Sequence, residues 1–383
     1  MSEPIRLGMH DPNRGEWSEI QQTLRASHGE LHKIEERVEQ LVADIVARPF
    51  GVAFSSTGAA IEATLEALGA TSGTEIVVPA LAPAVLASAA SRVGTRALYA
   101  DVDPKSMTLR AHHASARVTT ATRAIVGVAL HGQPAGLDEL AAVASRNEIP
   151  LLEIIAGGMG GRIGRDPVGR FGRVAVISLG ERDSTIGSGG AVCVTNDDSL
   201  ASTLRLLRNG GALDPRSDWE KLGGIRRIDR IGLDGRMNAM QAALATVRLS
   251  RFEQTCNELE EIFHGYLRRL ALHPELVLPA PCADGTVRWS HFAVRLSERY
   301  SRDDRDSIIQ GMLRHDIAAT SVAHVLPHEP AFACGHKLGD FPVAERASDR
   351  LIALPFSTDI GDREIDLICQ TLQVMIERQS ILR

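Results

Sequence analysis

The feature that most constrains the fold is an alternation that begins after Ser56. Short apolar runs at Glu75–Val78, Arg96–Tyr99, Ala124–Leu130, Pro150–Glu153, Val174–Ser178 and Gly190–Val194 are separated by windows with helical spacing, such as Ala59–Leu68 and Leu137–Arg146. Parallel strands need connections long enough to hold a helix, so this alternation predicts an α/β fold: a mostly parallel central sheet with helices on both faces. In such a sheet, ligands bind beyond the carboxyl ends of the strands.

Upstream, Ile20, Leu24, Leu31, Ile34, Val38, Leu41 and Ile45 recur at helical spacing, so the chain opens with amphipathic helices. Asn209–Arg230 is polar, Gly-rich and basic, and reads as a long loop, whereas Met237–Leu270 reads as a long helical region. Strands near Arg288–Leu296 and Ala318–His324, then a last helix over Asp362–Arg378, predict a small α+β domain. The expected division is a large domain over residues 1–250 and a small one over 251–383.

A chain of 383 residues can bury a sizeable core in this arrangement. Its net charge of -6 argues against nucleic acid as a partner, because phosphate neutralisation needs a basic face. No run reaches the roughly 18 apolar residues of a membrane span, and Met1-Ser2-Glu3-Pro4 is not a signal peptide, which makes the cytoplasm the default. Cys193, Cys256, Cys282, Cys334 and Cys369 are scattered and read as reduced packing thiols. His112 and His113 are adjacent, so their side chains are expected to point apart, and no metal site is predicted.

Several segments carry a resemblance in a fixed order. They are Phe54-Ser55-Ser56-Thr57-Gly58-Ala59-Ala60, Glu75-Ile76-Val77-Val78-Pro79, Ala100-Asp101-Val102-Asp103-Pro104, Val128-Ala129-Leu130-His131-Gly132-Gln133-Pro134 and Leu151-Leu152-Glu153. Further along come Gly232-Leu233-Asp234-Gly235-Arg236-Met237-Asn238, Pro327-His328-Glu329-Pro330 and Phe341-Pro342-Val343-Ala344-Glu345-Arg346. Together they resemble the DegT/StrS group of pyridoxal-phosphate sugar aminotransferases. The resemblance implies a fold type I aminotransferase-like architecture, a homodimer, and a helix N-terminus after Ser56 that holds the cofactor phosphate.

Against the family pattern, four positions differ. The frame that carries the family's Schiff-base lysine reads Ile177-Ser178-Leu179-Gly180-Glu181-Arg182-Asp183-Ser184-Thr185-Ile186-Gly187-Ser188-Gly189-Gly190, with no lysine. Ile154 stands where the family places an aspartate on the pyridinium nitrogen, and Gly157 where a Gln or His stacks on the ring. Asp234 replaces the asparagine that reaches a phosphate across the subunit interface. These departures predict a degenerate member with no cofactor, its pyridoxal-phosphate binding lost.

The candidate catalytic residues are then Asp183, His131, Glu181 and Arg182. A carboxylate beside an arginine in a closed cleft can work as a base or an anion clamp, and histidine titrates near neutral pH. Ser56, Thr57, Ser184, Asp234 and His328 are the candidate substrate contacts, and Arg236 is expected to bond backbone carbonyls. Three functions follow. The first is a cofactor-free enzyme doing acid–base chemistry (dehydration, isomerisation, cyclisation or hydrolysis) on a sugar- or cyclitol-like molecule of specialised metabolism. The second is a silent subunit paired with a true aminotransferase. The third is a protein that holds pyridoxal phosphate or pyridoxamine phosphate without a covalent link.

Overall fold

Seven strands make the central sheet: β1 (Phe50–Phe54), β2 (Glu75–Pro79), β3 (Arg96–Ala100), β4 (Thr122–Leu130), β5 (Leu151–Ala156), β6 (Val174–Ser178) and β7 (Ala191–Thr195). They belong to a computed structural model that describes residues 5–7, 14–26, 32–180, 183–213, 226–322 and 324–381. The spatial order is β1-β7-β6-β5-β4-β2-β3. Strands β3, β2, β4, β5 and β6 are parallel, and β7 is antiparallel to both β6 and β1.

The helices are α1 (Arg14–Ala26), α2 (His32–Val46), α3 (Thr57–Ala67), α4 (Ala84–Val93), α5 (Ala111–Ser115), α6 (Leu137–Arg146), α7 (Asp198–Arg208), α8 (Ala239–Leu249), α9 (Phe252–Leu270), α10 (Arg302–Leu313), α11 (Pro342–Arg350) and α12 (Asp362–Ile381). The sheet is apolar on both faces because helices cover both. Val52, Phe54, Val126, Ile154 and Val176 join one core with α3 and α4. Their strand neighbours Ala53, Ile155, Ala175 and Ile177 join a second core with α2 and α8. This is the period-two alternation of a sheet buried on both sides.

Two buried polar clusters lock the sheet to its loops. Arg208 Nη1 lies 2.6 Å from Glu39 Oε1, 3.1 Å from Ala53 O and 3.3 Å from Glu35 Oε1, which ties α7 and α2 to β1. In the second, Glu153 accepts the amides of Gly169 at 2.8 Å and Gly172 at 2.6 Å, while Arg48 donates to the carbonyls of the same two glycines. Burial raises the Glu153 carboxyl above its ordinary range, opposed by those amides and by Arg48.

The C-terminal part has its own three-stranded antiparallel sheet, β8 (Leu276–Val277), β9 (Phe292–Leu296) and β10 (Leu351–Leu354), under α9, α10 and α12. Residues 5–7 pack here too: Ile5 brackets Asp316 and Ala318 with two backbone bonds, and Leu7 O accepts from Phe356 N at 3.0 Å. Residues 5–7 thus lie with the small part rather than the large one.

Three expectations are corrected. The helical region Met237–Leu270 is two helices, because Ser250 Oγ donates back to Val247 O at 2.6 Å and Arg251 leaves helical geometry at φ -111, ψ 11. The strand near Ala318–His324 reduces to one bridge, Thr320 to Ala353, after which His324–Val325 pairs with Leu81–Ala82; the segment crosses between sheets instead of following one. The rings of His112 and His113 do not diverge but stand 3.9 Å apart between centroids. Within the expected loop, Ala212 bridges Ile228 in an antiparallel return, and 214–225 lie outside the described residues. No described helix is long and apolar enough to cross a membrane.

Candidate functional site

The carboxyl end of β6 meets the N-terminus of α3. Ser56 caps that helix by accepting the Ala59 amide at 3.1 Å, a bond worth about 1 kcal/mol. Thr57 Oγ1 lies 2.8 Å from Ser178 Oγ at the end of β6, and Ser178 Oγ also accepts the Gly180 amide at 3.2 Å. Among the described residues the first-turn amides of Thr57 and Gly58 donate to no group. An open helix N-terminus with two hydroxyls beside it suits a phosphate or another small anion.

The loop after β6 turns inward. Asp183 is 8% exposed, and its Oδ1 accepts the Thr185 amide at 2.8 Å and the Thr185 hydroxyl at 2.5 Å. Burial raises its pKa, and the Thr185 bonds oppose the shift. Ser184 donates to Ser290 O at 2.9 Å and to Phe356 O at 2.5 Å, joining the loop to the small sheet. Both side chains therefore serve the fold. Glu181 and Arg182 lie outside the described residues.

At the end of β4, His131 is held at φ 57 and is 6% exposed, its ring edge-on to His291 at 5.4 Å. Burial, reinforced by His291, pushes its pKa down to about 3, so the imidazole is neutral near pH 7. Its Nε2 has no hydrogen-bond partner among the described residues. On β5, Ile154 is buried in the apolar core. Gly157, at φ +99, has Ser290 Oγ 2.0 Å from where a Cβ would stand, so Ser290 fills the space a larger residue there would take.

The remaining candidates are apart from this group. Asp234 is exposed and bridges Asn209, while its neighbour Gly235 accepts the Ser55 amide at 2.8 Å within the same chain. Arg236 pairs with the Glu35 carboxylate instead of backbone carbonyls. His328 Nε2 lies 3.1 Å from Glu345 Oε1, a carboxylate that also accepts the amides of Gly339 and Phe341. Sequence reasoning missed Ser290 and His291, which come from a distant segment with no local motif. Among the described residues, no group of three or more His, Cys, Asp and Glu side chains could hold a metal ion.

The family model of the DegT/DnrJ/EryC1/StrS aminotransferase family matches residues 13–373. The chain belongs to this family. It is 31% identical over 321 residues to the erythromycin biosynthesis sensory transduction protein EryC1 of Saccharopolyspora erythraea, covering 82% of each chain. It is 28% identical over 342 residues to GDP-perosamine synthase of Caulobacter vibrioides, covering 88% of this chain and 89% of that one. Among solved structures, the PMP-form of the putative sugar aminotransferase Spr1654 from Streptococcus pneumoniae superposes with a TM-score of 0.88 over 99% of both chains at 20% identity.

Membership in the DegT/DnrJ/EryC1/StrS family corrects the expectation of a chain without a cofactor. The family is one of aminotransferases, and Spr1654 has been solved in a PLP-form as well as a PMP-form, so the fold points to pyridoxal phosphate. The residues present fit such a group at its phosphate end, where Thr57, Ser178 and the α3 amides converge. Ile154, on the neighbouring strand β5, is 1% exposed and packs in the apolar core.

Proposed function

We propose that this protein holds pyridoxal phosphate, or its amine form, by non-covalent contacts and acts on a sugar- or cyclitol-like small molecule in specialised metabolite biosynthesis. The observation that carries the reading is the Thr57–Ser178 hydroxyl pair, 2.8 Å apart beside the open N-terminus of α3. It supports phosphate binding through two hydroxyls and the Thr57 and Gly58 amides. The covalent link is absent from this reading because no lysine occurs between Lys105 and Lys221, and arginine is too weakly acidic to form an imine at neutral pH.

When bound, the cofactor supplies a carbonyl or amine and a conjugated ring that takes up electrons. Ile154 has no atom that could accept a hydrogen bond from a protonated ring nitrogen, so it would not reinforce that electron demand. Glu181 and Arg182 are the proposed acid–base pair, while Asp183 accepts the Thr185 amide and hydroxyl. The working unit is proposed to be a homodimer, and a strictly monomeric sedimentation profile would overturn that. One observation favours a second reading, a silent subunit beside a true aminotransferase: Asp183 and Ser184 are both committed to internal bonds.

The test is the absorbance of the protein between about 300 and 450 nm after loading with pyridoxal phosphate and dialysis, with intact mass after borohydride reduction. Retained absorbance with no mass adduct, lost in Thr57→Val/Ser178→Ala, is expected. A blank spectrum sinks the proposal in favour of the silent subunit, and a covalent adduct refutes its non-covalent part.

A further inference from the structure

The loop that leaves the phosphate cradle also grips the small part of the chain. Ser184 is 1% exposed, and its hydroxyl lies between two carbonyls, 2.9 Å from Ser290 O and 2.5 Å from Phe356 O. Both carbonyls belong to one end of the small sheet. Phe292 on β9 faces Leu354 on β10, so Ser290 and Phe356 stand opposite each other two residues beyond that pair. The large part thus supplies the hydroxyl on which the open end of the small sheet converges.

Ser290 meets the large part at two further places. Its amide donates to His131 O at 3.4 Å, just past β4, and its Oγ stands 2.0 Å from where a Cβ of Gly157 would be, just past β5. Together with Ser184 from the loop after β6, these contacts seat one residue of the small part on the ends of three neighbouring strands.

The path from the cradle to Ser184 is short and bonded at each step. Ser178 Oγ accepts the Gly180 amide at 3.2 Å, and Gly180 O accepts the Asp183 amide at 2.9 Å. The rest of the loop is pinned. Leu179 N donates to Gly190 O at 3.0 Å, Gly189 N donates to Leu179 O at 2.8 Å, and Arg248 holds Ile186 O at 2.9 Å. A displacement at Gly180 is therefore steered toward 183 and 184.

An anion changes the hydrogen bonding at the start of this path. Thr57 Oγ1 and Ser178 Oγ are joined by one proton, while the Gly180 amide reaches Ser178 Oγ at the long end of the bonding range. An anion only accepts, so both hydroxyls turn to donate to it. Ser178 Oγ then keeps its lone pairs for Gly180, and that bond tightens. At the far end Ser184 has one proton for two carbonyls, so a shift of its loop selects between two arrangements.

We propose that Ser184 couples occupancy of the cradle to the seating of the small part: an anion held by Thr57 and Ser178 tightens the turn over residues 178–184 and fastens Ser290 and Phe356 to the large part. Such coupling is reciprocal, so loosening Ser184 weakens the anion by the same factor. The link deepens the reading above, as a regulation of the same site, and rests on the cradle binding an anion. Ser184 is a positioning residue in it.

Hydrogen exchange of the full chain, read by mass spectrometry on peptides spanning Ser290 and Phe356, tests this with inorganic phosphate against chloride at equal ionic strength. Phosphate should slow exchange in both wild-type peptides by roughly fivefold, and Ser184→Ala should abolish that increment while weakening phosphate in calorimetric titration by a similar factor. A serine that serves only the fold would leave the increment intact. Phosphate binding with the same increment in Ser184→Ala, or with none in wild type, overturns the coupling and leaves the cradle standing. No phosphate binding fails the cradle reading, and Ser178→Ala in chloride then decides the coupling: exchange in the two peptides should rise, and Ser184→Ala should add less to that rise than it adds to wild type. Additive rises overturn it. So does an unchanged exchange in Ser178→Ala, which decides the matter by itself should Ser184→Ala fail to fold.

Discussion

Asp183 Oδ1 accepts two bonds from one residue, the Thr185 amide at 2.8 Å and the Thr185 hydroxyl at 2.5 Å. The carboxylate thereby closes the turn in the segment where the sequence pattern led us to expect a general base or anion clamp in a closed cleft. Its replacement by alanine strands a buried amide and hydroxyl, so Asp183→Ala should lower stability by about 1–3 kcal/mol, read as a fall in the urea midpoint at constant slope. An unchanged midpoint would mean that the turn does not depend on this bond.

His131 makes the protein acid-sensitive. Its folded pKa of about 3 lies below the ordinary 6.5, so the unfolded chain binds a proton that the native state refuses. Stability from this group is complete above pH 6.5 and declines as pH falls toward 3, by about 1.4 kcal/mol per unit inside that window. Comparing denaturation midpoints of wild type and His131→Asn at pH 5 and pH 7 should show a difference of about 2 kcal/mol in their pH dependence. Parallel curves would refute the neutral, buried imidazole.

Glu153 has the opposite sign. Its folded pKa is raised by burial, so the native state holds the proton more tightly than the unfolded chain. Stability from this group is highest at acid pH and is lost as pH rises through the window between the ordinary and the raised value. The stability gap between Glu153→Gln and wild type should shift in favour of the variant as pH rises, and a gap constant from pH 4 to pH 8 would contradict this.

Arg208 neutralises two carboxylates on α2, and both side chains are almost fully buried. Arg208→Ala leaves the buried Glu39 without a cation and Glu35 with Arg236 alone, and should cost about 3–5 kcal/mol. Adding Glu39→Gln should recover part of that loss in a double-mutant cycle. Additive losses would show that the network is not coupled.

Gly157 and Ser290 exclude one another's alternatives. A Cβ at Gly157 would stand 2.0 Å from Ser290 Oγ on a backbone with φ +99. Gly157→Ala should therefore destabilise by about 1–3 kcal/mol, and Ser290→Gly in the same chain should relieve the steric share but not the backbone share. A double variant no more stable than Gly157→Ala would remove Ser290 as the cause.

Much of the architecture was written locally. Each run such as Val174–Ser178 is too short and too continuously apolar to be anything but a strand covered on both faces, and the helical windows between the runs force parallel crossovers. The family assignment was equally legible, because motifs such as Ser56-Thr57-Gly58 keep their order along the chain. Local pattern failed at Ser250, where one side-chain bond to Val247 O ends a helix that spacing alone would continue.

The candidate site was legible only in part, and the reason is physical. Sequence by itself determined which chemistry-bearing residues exist: no lysine near Asp183, an isoleucine at 154, a histidine at 131. Tertiary structure alone decided their use. A side chain's role depends on burial and on partners distant in sequence, and these arise only when segments such as 184 and 356, or 157 and 290, are brought together. That is why Asp183 and Ser184 became supports for a turn, and why His131, with His291 from a segment no motif marked, became a neutral and unpartnered group at the end of a cavity.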